Sequence, residues 1–166
     1  MRTWLAGVVM VGALSGPLRD QPLTFYGIGP VRVGTTVRSA SLAAREPLVE
    51  AADKPSGSDE CHHVRLKTTP SILFMVEEGR IVRVETGDDR VRTASGAKVG
   101  DSEAAVRRIY AGRLEVTSHK YDERGHYMIV RSADRRHALV LETDGKNVVY
   151  MRAGLLPAAE YVEGCL

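Results

Sequence analysis

Aromatic side chains are scarce: Phe, Trp and Tyr make up 5% of the chain, with one Trp and two Phe. A core must therefore come mainly from Val, Leu, Ile, Met and Ala, and a sugar site built by stacking on rings has little to draw on. Excess charge of one sign is missing too. The 23 Lys and Arg stand against 21 Asp and Glu, which argues against a strongly basic nucleic-acid binder. The prominent hydrophobic run, WLAGVVMVGAL at 4–14, is shorter than the roughly 20 apolar residues of a membrane-spanning helix. Several catalytic signatures are absent: no G-x-S-x-G elbow, no Walker A loop and no G-x-G-x-x-G. Gly27-Ile28-Gly29 runs directly into Pro30. The apolar and charged fractions, 43% and 27%, are those of a globular protein and exclude a disordered tail or a collagen.

The N-terminus supplies an address. Arg2 precedes the apolar run, and the small residues Ala13 and Ser15 close it, which is the layout of a secretory signal peptide cut after Ser15. Export changes the meaning of the two cysteines. Cys61 and Cys165 form an even pair in a chain bound for an oxidising compartment, so a disulfide between them is expected, ahead of a reactive thiol or a metal ligand.

An internal repeat suggests the architecture. Placing Val33-Gly34 on Val99-Gly100 sets Arg32 on Lys98, Thr35 on Asp101 and Thr36 on Ser102. Each segment reads as an extended entry, a Gly, a cap and a helix, with Asp101 the expected cap in the second. The same offset lays Glu78-Gly79-Arg80 on Asp144-Gly145-Lys146, each a Gly turn between β-rich runs. Strands are expected at 61–67, 71–77, 114–120, 126–132 and 137–143, and a loop at 51–60. The expected fold class is α+β: two tandem repeats, each a helix packed on a three- to four-stranded antiparallel sheet. The divisions are 1–15 for the signal peptide, 16–94 for the first repeat and 95–166 for the second.

Both faces of these strands are partly apolar, where a sheet with one wet face alternates cleanly. The second face is thus either covered or a binding surface. Tyr127, Arg131, Tyr150 and Arg152 share it as candidate protein-binding residues, because Tyr and Arg anchor interfaces. Arg80, Arg83, Arg90 and Arg92, interleaved with Glu85, Asp88 and Asp89, read as a mixed solvated face.

Glu60-Cys61-His62-His63 holds zinc-ligand types. A regular strand, however, sends His62 and His63 to opposite faces, and His119, His126 and His137 have no ligand spacing. No metal and no cofactor are expected.

The segments VRVGTT at 31–36 and AKVGDS at 97–102 resemble the exported modules of the BamE/SmpA outer-membrane assembly lipoproteins. Two such modules in tandem resemble the β-lactamase inhibitory proteins. The resemblance covers 29–152 and implies a binding scaffold without catalysis. Two departures stand out. The lipoproteins carry a lipidated Cys at the mature start, where this chain has Pro17, and the inhibitory proteins hold each module with its own disulfide.

The expectation is a non-enzymatic, exported protein-binding module of the bacterial envelope, periplasmic or secreted, acting as inhibitor or assembly accessory. Its partner would be an envelope or secreted protein, with no nucleic acid and no stable membrane anchor. The alternatives are an exported hydrolase, Cys/His-dependent through Cys61, His62 and His63 or metal-dependent, and a glycan-binding module.

Overall fold

The computed structural model describes residues 16–51 and 60–165. The expected signal peptide and residues 52–59 of the expected loop lie outside them. Among the described residues no helix is long and apolar enough to cross a membrane.

A single 3-10 turn (Leu18–Asp20) precedes three short strands, β1 (Leu23–Thr24), β2 (Gly27–Ile28) and β3 (Val31–Arg32), paired as a small antiparallel sheet. Gly27 is required there. Its φ is +125°, and a Cβ would stand 2.1 Å from the Val31 carbonyl oxygen. Helix α1 (Val37–Ala44) follows, then β4 (Leu48–Glu50), β5 (Cys61–Leu66), β6 (Ile72–Glu77) and β7 (Arg80–Thr86). Helix α2 (Glu103–Ile109) leads into β8 (Leu114–Ser118), β9 (His126–Arg131), β10 (His137–Thr143) and β11 (Val148–Leu155).

The expected pair of tandem helix-on-sheet modules is overturned. Strands β4 to β11 form one continuous eight-stranded sheet in the order β4-β5-β6-β7-β11-β10-β9-β8, with the three-stranded sheet beside it. Two physical reasons account for this. The last strand of each half would leave an unpaired edge, a liability in water; instead β7 and β11 pair with each other, from Met151↔Thr86 to Gly154↔Arg83. The helices are also too short to roof a sheet each. α1 fully buries Ala40 alone and α2 fully buries Val106 alone. The small sheet completes the cover with Leu23, Ile28 and Val31, which join both helices over Val64, Phe74, Val84, Met128, Leu141 and Met151 in the main core.

The sequence recurrence persists inside this single sheet. Both helices are capped by a hydroxyl at matching positions: Thr36 accepts from Ser39 N–H and Ser102 from Ala105 N–H, each at 3.2 Å. Asp101, the expected cap, accepts from Lys98 N–H instead, at 2.9 Å. The ladder slips by one residue between Met75 and Val76, and again between Glu142 and Thr143.

Candidate functional site

The second face of the large sheet is roofed by the chain's own C-terminal segment. After β11 the chain turns back, and Ala158 and Ala159 bury themselves against it. One group of contacts joins Ala159, Leu156 and Val162 to Tyr127, Ile129, Ala138 and Val140; another joins Ala158 and Cys165 to Met75 and Val82. The segment ends at the Cys61–Cys165 disulfide, with Cα atoms 5.5 Å apart and 104 positions between them in sequence. This explains why strands β6 and β10 are apolar on both sides: neither face is open water.

Beneath that roof runs a row of polar side chains on alternating residues of the strands. Arg83 and Glu85 project from β7 on the same face, with Arg83 Nη2 2.5 Å from Glu85 Oε2 and both side chains about as buried as the core. Arg83 Nη1 donates to the carbonyls of Ala158 (3.0 Å) and Tyr161 (2.8 Å). His63 of β5, also buried, approaches Glu85 at 3.4 Å. Arg152 of β11 donates from Nε to Ala159 O (3.1 Å) and from Nη1 to Glu142 (2.8 Å). Peptide carbonyls of the roof thus supply acceptors for guanidiniums that would otherwise be costly to bury.

Arg83 and Glu85 do not belong to the solvated face expected for this strand. Arg80, Arg90 and Arg92 are exposed, whereas Arg83 and Glu85 face inward under the roof. Their signal was legible in RIVRVET: two opposite charges two residues apart, on one face of an otherwise apolar strand. Asp88 is also not simply solvated. It accepts from Arg90 Nε (2.8 Å), Arg90 Nη2 (2.6 Å) and Ser71 Oγ (2.8 Å). The Arg90 bond, reinforced by Ser71, holds its carboxyl well below the usual range despite the opposing effect of burial.

The candidate binding residues occupy this same face. Tyr127 is buried in β9, its ring stacked on His119 at 4.6 Å and capped by the Arg152 guanidinium at 5.3 Å. The His119 ring is fixed on both sides: Nδ1 accepts from the N–H groups of Tyr121 and Asp122, and Nε2 meets Glu142 at 2.9 Å. Arg131, half-buried at the end of β9, pairs with Glu160 of the roof and with Glu115 of β8 at 3.4 Å. Tyr150 is half-buried beside Glu85. Burial pushes its hydroxyl well above the ordinary tyrosine value, and the Glu85 carboxylate adds to the push, so it remains a proton donor.

Tyr127, Arg131 and Arg152 line one cavity of about 240 Å³ together with Glu115, Thr117 and Glu160. Tyr150 is not among its lining residues. The cavity opens where the roof stops short of the sheet edge, leaving Thr117 exposed and Arg131 half-exposed.

The Cys/His cluster does not converge. His62 points to Glu50 at 3.5 Å and His63 to Glu85, and the Cys61 sulfur is spent in the disulfide. Among the described residues no group of three or more His, Cys, Asp or Glu side chains is placed to hold a metal ion.

No protein-family model matches the chain, and no curated protein matches it. Among solved structures it is similar to the uncharacterised protein YfeY of Escherichia coli, with a TM-score of 0.51 at 12% identity over 80% of this chain and 99% of that one. An extracellular protein containing an SCP domain from Bacillus anthracis str. Ames aligns with a TM-score of 0.46 at 12% identity, over 72% of this chain and 43% of that one. The likeness to YfeY is one of fold.

Proposed function

We propose that this chain is an exported protein of the bacterial envelope, periplasmic or secreted, that binds another envelope or secreted protein without acting on it chemically. It serves as an inhibitor or as an assembly accessory. The observation that carries the reading is the cavity beside the C-terminal roof, where Tyr127, Arg131 and Arg152 converge with two carboxylates. Tyr and Arg held in place by packing and ion pairs are the residue types that dominate protein interfaces, because they bring large contact area at little further ordering cost. The Cys61–Cys165 bridge supports export, since such bonds persist in oxidising compartments. The resemblance of 31–36 and 97–102 to exported binding modules supports the same role. A thiol hydrolase loses support because its nucleophile is oxidised.

The test places a photo-cross-linking residue at Thr117 and irradiates the envelope fraction of the native host. A discrete protein adduct is expected, lost when Arg131→Ala is added while the far-ultraviolet spectrum is unchanged. No adduct, or one indifferent to Arg131, overturns the reading. Mass measurement of the processed chain checks export: retention of residues 1–15 contradicts it.

A further inference from the structure

The cavity sits beside the free edge of the sheet. β8 pairs with β9 from Leu114↔Val130 to Ser118↔His126, and among the described residues no strand pairs with its outer side. His119 N–H donates toward β9, to Gly125 O at 3.0 Å. Backbone groups alternate in direction along an antiparallel strand, so the N–H and C=O groups of Leu114, Val116 and Ser118 face outward. A five-residue edge has the length of an ordinary strand. It carries none of the usual protections, neither Lys, nor Pro, nor a bulge. Its one charge, Glu115, is already engaged by Arg131.

At the start of this edge a second cavity of about 490 Å³ is lined by Arg113, Leu114, Glu115, Ile129, Arg131 and Arg135, among others. Arg113 and Arg135 are exposed. The ion pairs of this region are made by Arg131, to Glu160 and Glu115; among the described residues Arg113 and Arg135 meet no carboxylate. Arg113 lies over the Tyr110 ring at 5.8 Å, and Arg135 stands at φ +55° in the β9–β10 turn. The lining of this cavity, three arginines against the one carboxylate of Glu115, is therefore net cationic.

We infer that β8 takes up a ninth strand from an extended, acidic segment of the partner protein. The partner's backbone pairs with the outward groups of Leu114, Val116 and Ser118, and its carboxylates meet Arg113 and Arg135. Strand addition of this kind draws affinity from main-chain bonds and specificity from flanking side chains. The inference rests on the protein-binding reading and names the chemistry of the partner. Charge disfavours a second copy of this chain: antiparallel pairing of β8 with itself about Val116 sets Arg113 near Lys120 of the second copy, like charge against like.

The probe is a fluorescein-labelled peptide, TEVEVET, titrated by anisotropy into the full disulfide-bonded chain beside its counterpart TKVKVKT. The acidic peptide is expected to bind about ten-fold or more tightly than the basic one. Ser118→Pro, which removes an outward N–H at an exposed position, and Arg135→Glu should each weaken it by about ten-fold. Arg38→Glu on the exposed side of α1 should not. Hydrogen exchange at Val116 and Ser118 should slow on binding. Equal binding of both peptides overturns the inference, as does indifference to Arg135→Glu. Absence of peptide binding with concentration-dependent dimerisation in sedimentation overturns it in favour of a second copy. If these edge variants have no effect while the Thr117 adduct still depends on Arg131, the edge inference fails and the protein-binding reading stands. If peptide binding follows the edge but no Thr117 adduct forms, the reading of the face fails instead.

Discussion

Glu85 of β7 and Arg152 of β11 stand directly opposite each other in the central pairing of the sheet, both buried on the face beneath the C-terminal roof. They are also counterparts. The ladder irregularity at Met75/Val76 matches that at Glu142/Thr143, and the same displacement along the chain carries Glu85 onto Arg152. The strand order therefore runs symmetrically outward from the β7–β11 pair, β4 to β7 on one side and β8 to β11 on the other, with Glu85 and Arg152 at its centre.

Glu85 neutralises its surroundings, so its charge is the one whose loss is costliest. Glu85→Gln leaves Arg83 in low-dielectric surroundings without its carboxylate. Urea unfolding should show a loss of about 3–5 kcal/mol. The double variant Arg83→Met/Glu85→Leu should cost less than Glu85→Gln alone, because a buried pair replaced by apolar side chains removes its desolvation penalty as well. Equal or greater loss in the double variant contradicts this account.

The disulfide closes a loop of 104 positions. Cys165→Ser should lower stability by about 4–5 kcal/mol at most in the chain-entropy model. It should also expose the segment around Ala158 to limited proteolysis, since the bridge anchors the far end of the roof. Denaturation with and without reductant, read beside the cleavage pattern, checks both effects.

Acid should weaken the fold partly through Asp88. Its carboxyl is held below the ordinary range by Arg90 and Ser71, so the unfolded chain binds a proton there more readily than the folded one. The stabilisation is complete above the unfolded value of about 3.9 and is lost as pH falls below it. Asp88→Asn should cost about 1 kcal/mol at pH 7, limited by solvent around the exposed Arg90, and should flatten the stability profile below about pH 4. A profile unchanged in that range rules Asp88 out as a contributor.

Each helix depends on one hydroxyl. Ser102→Ala and Thr36→Ala should each cost about 1 kcal/mol in thermal unfolding, and Ser102→Asn should retain most of the cap. Asp101→Asn should cost less than Ser102→Ala if Ser102 is the cap.

Much of the secondary structure was legible residue by residue. HALVLET becomes β10 with the expected bounds, Cys61–Leu66 and His126–Arg131 begin where their patterns begin, and Cys61 and Cys165 are joined. The extended entry before Gly34 becomes β3, whereas β1, β2 and β4 are the strands missed, two or three residues each and too short for a period-two pattern to register. The candidate site was legible in part. Tyr127, Arg131 and Arg152 share a cavity because strand alternation is a local property, while the segment that roofs them is distant in sequence and carries no periodic signal.

Local chemistry thus determined where strands and helices form, which side chains share a face and which sulfurs can bond, since those follow from spacing and residue type. Whether the halves stay apart or fuse was decided only in three dimensions. Short helices left too much of the sheet uncovered, and unpaired inner edges found each other across β7 and β11. The same holds for the buried Arg83–Glu85 pair: opposite charge on one strand face is written in the chain, but its burial required a roof that the C-terminal segment supplies from about 75 positions away.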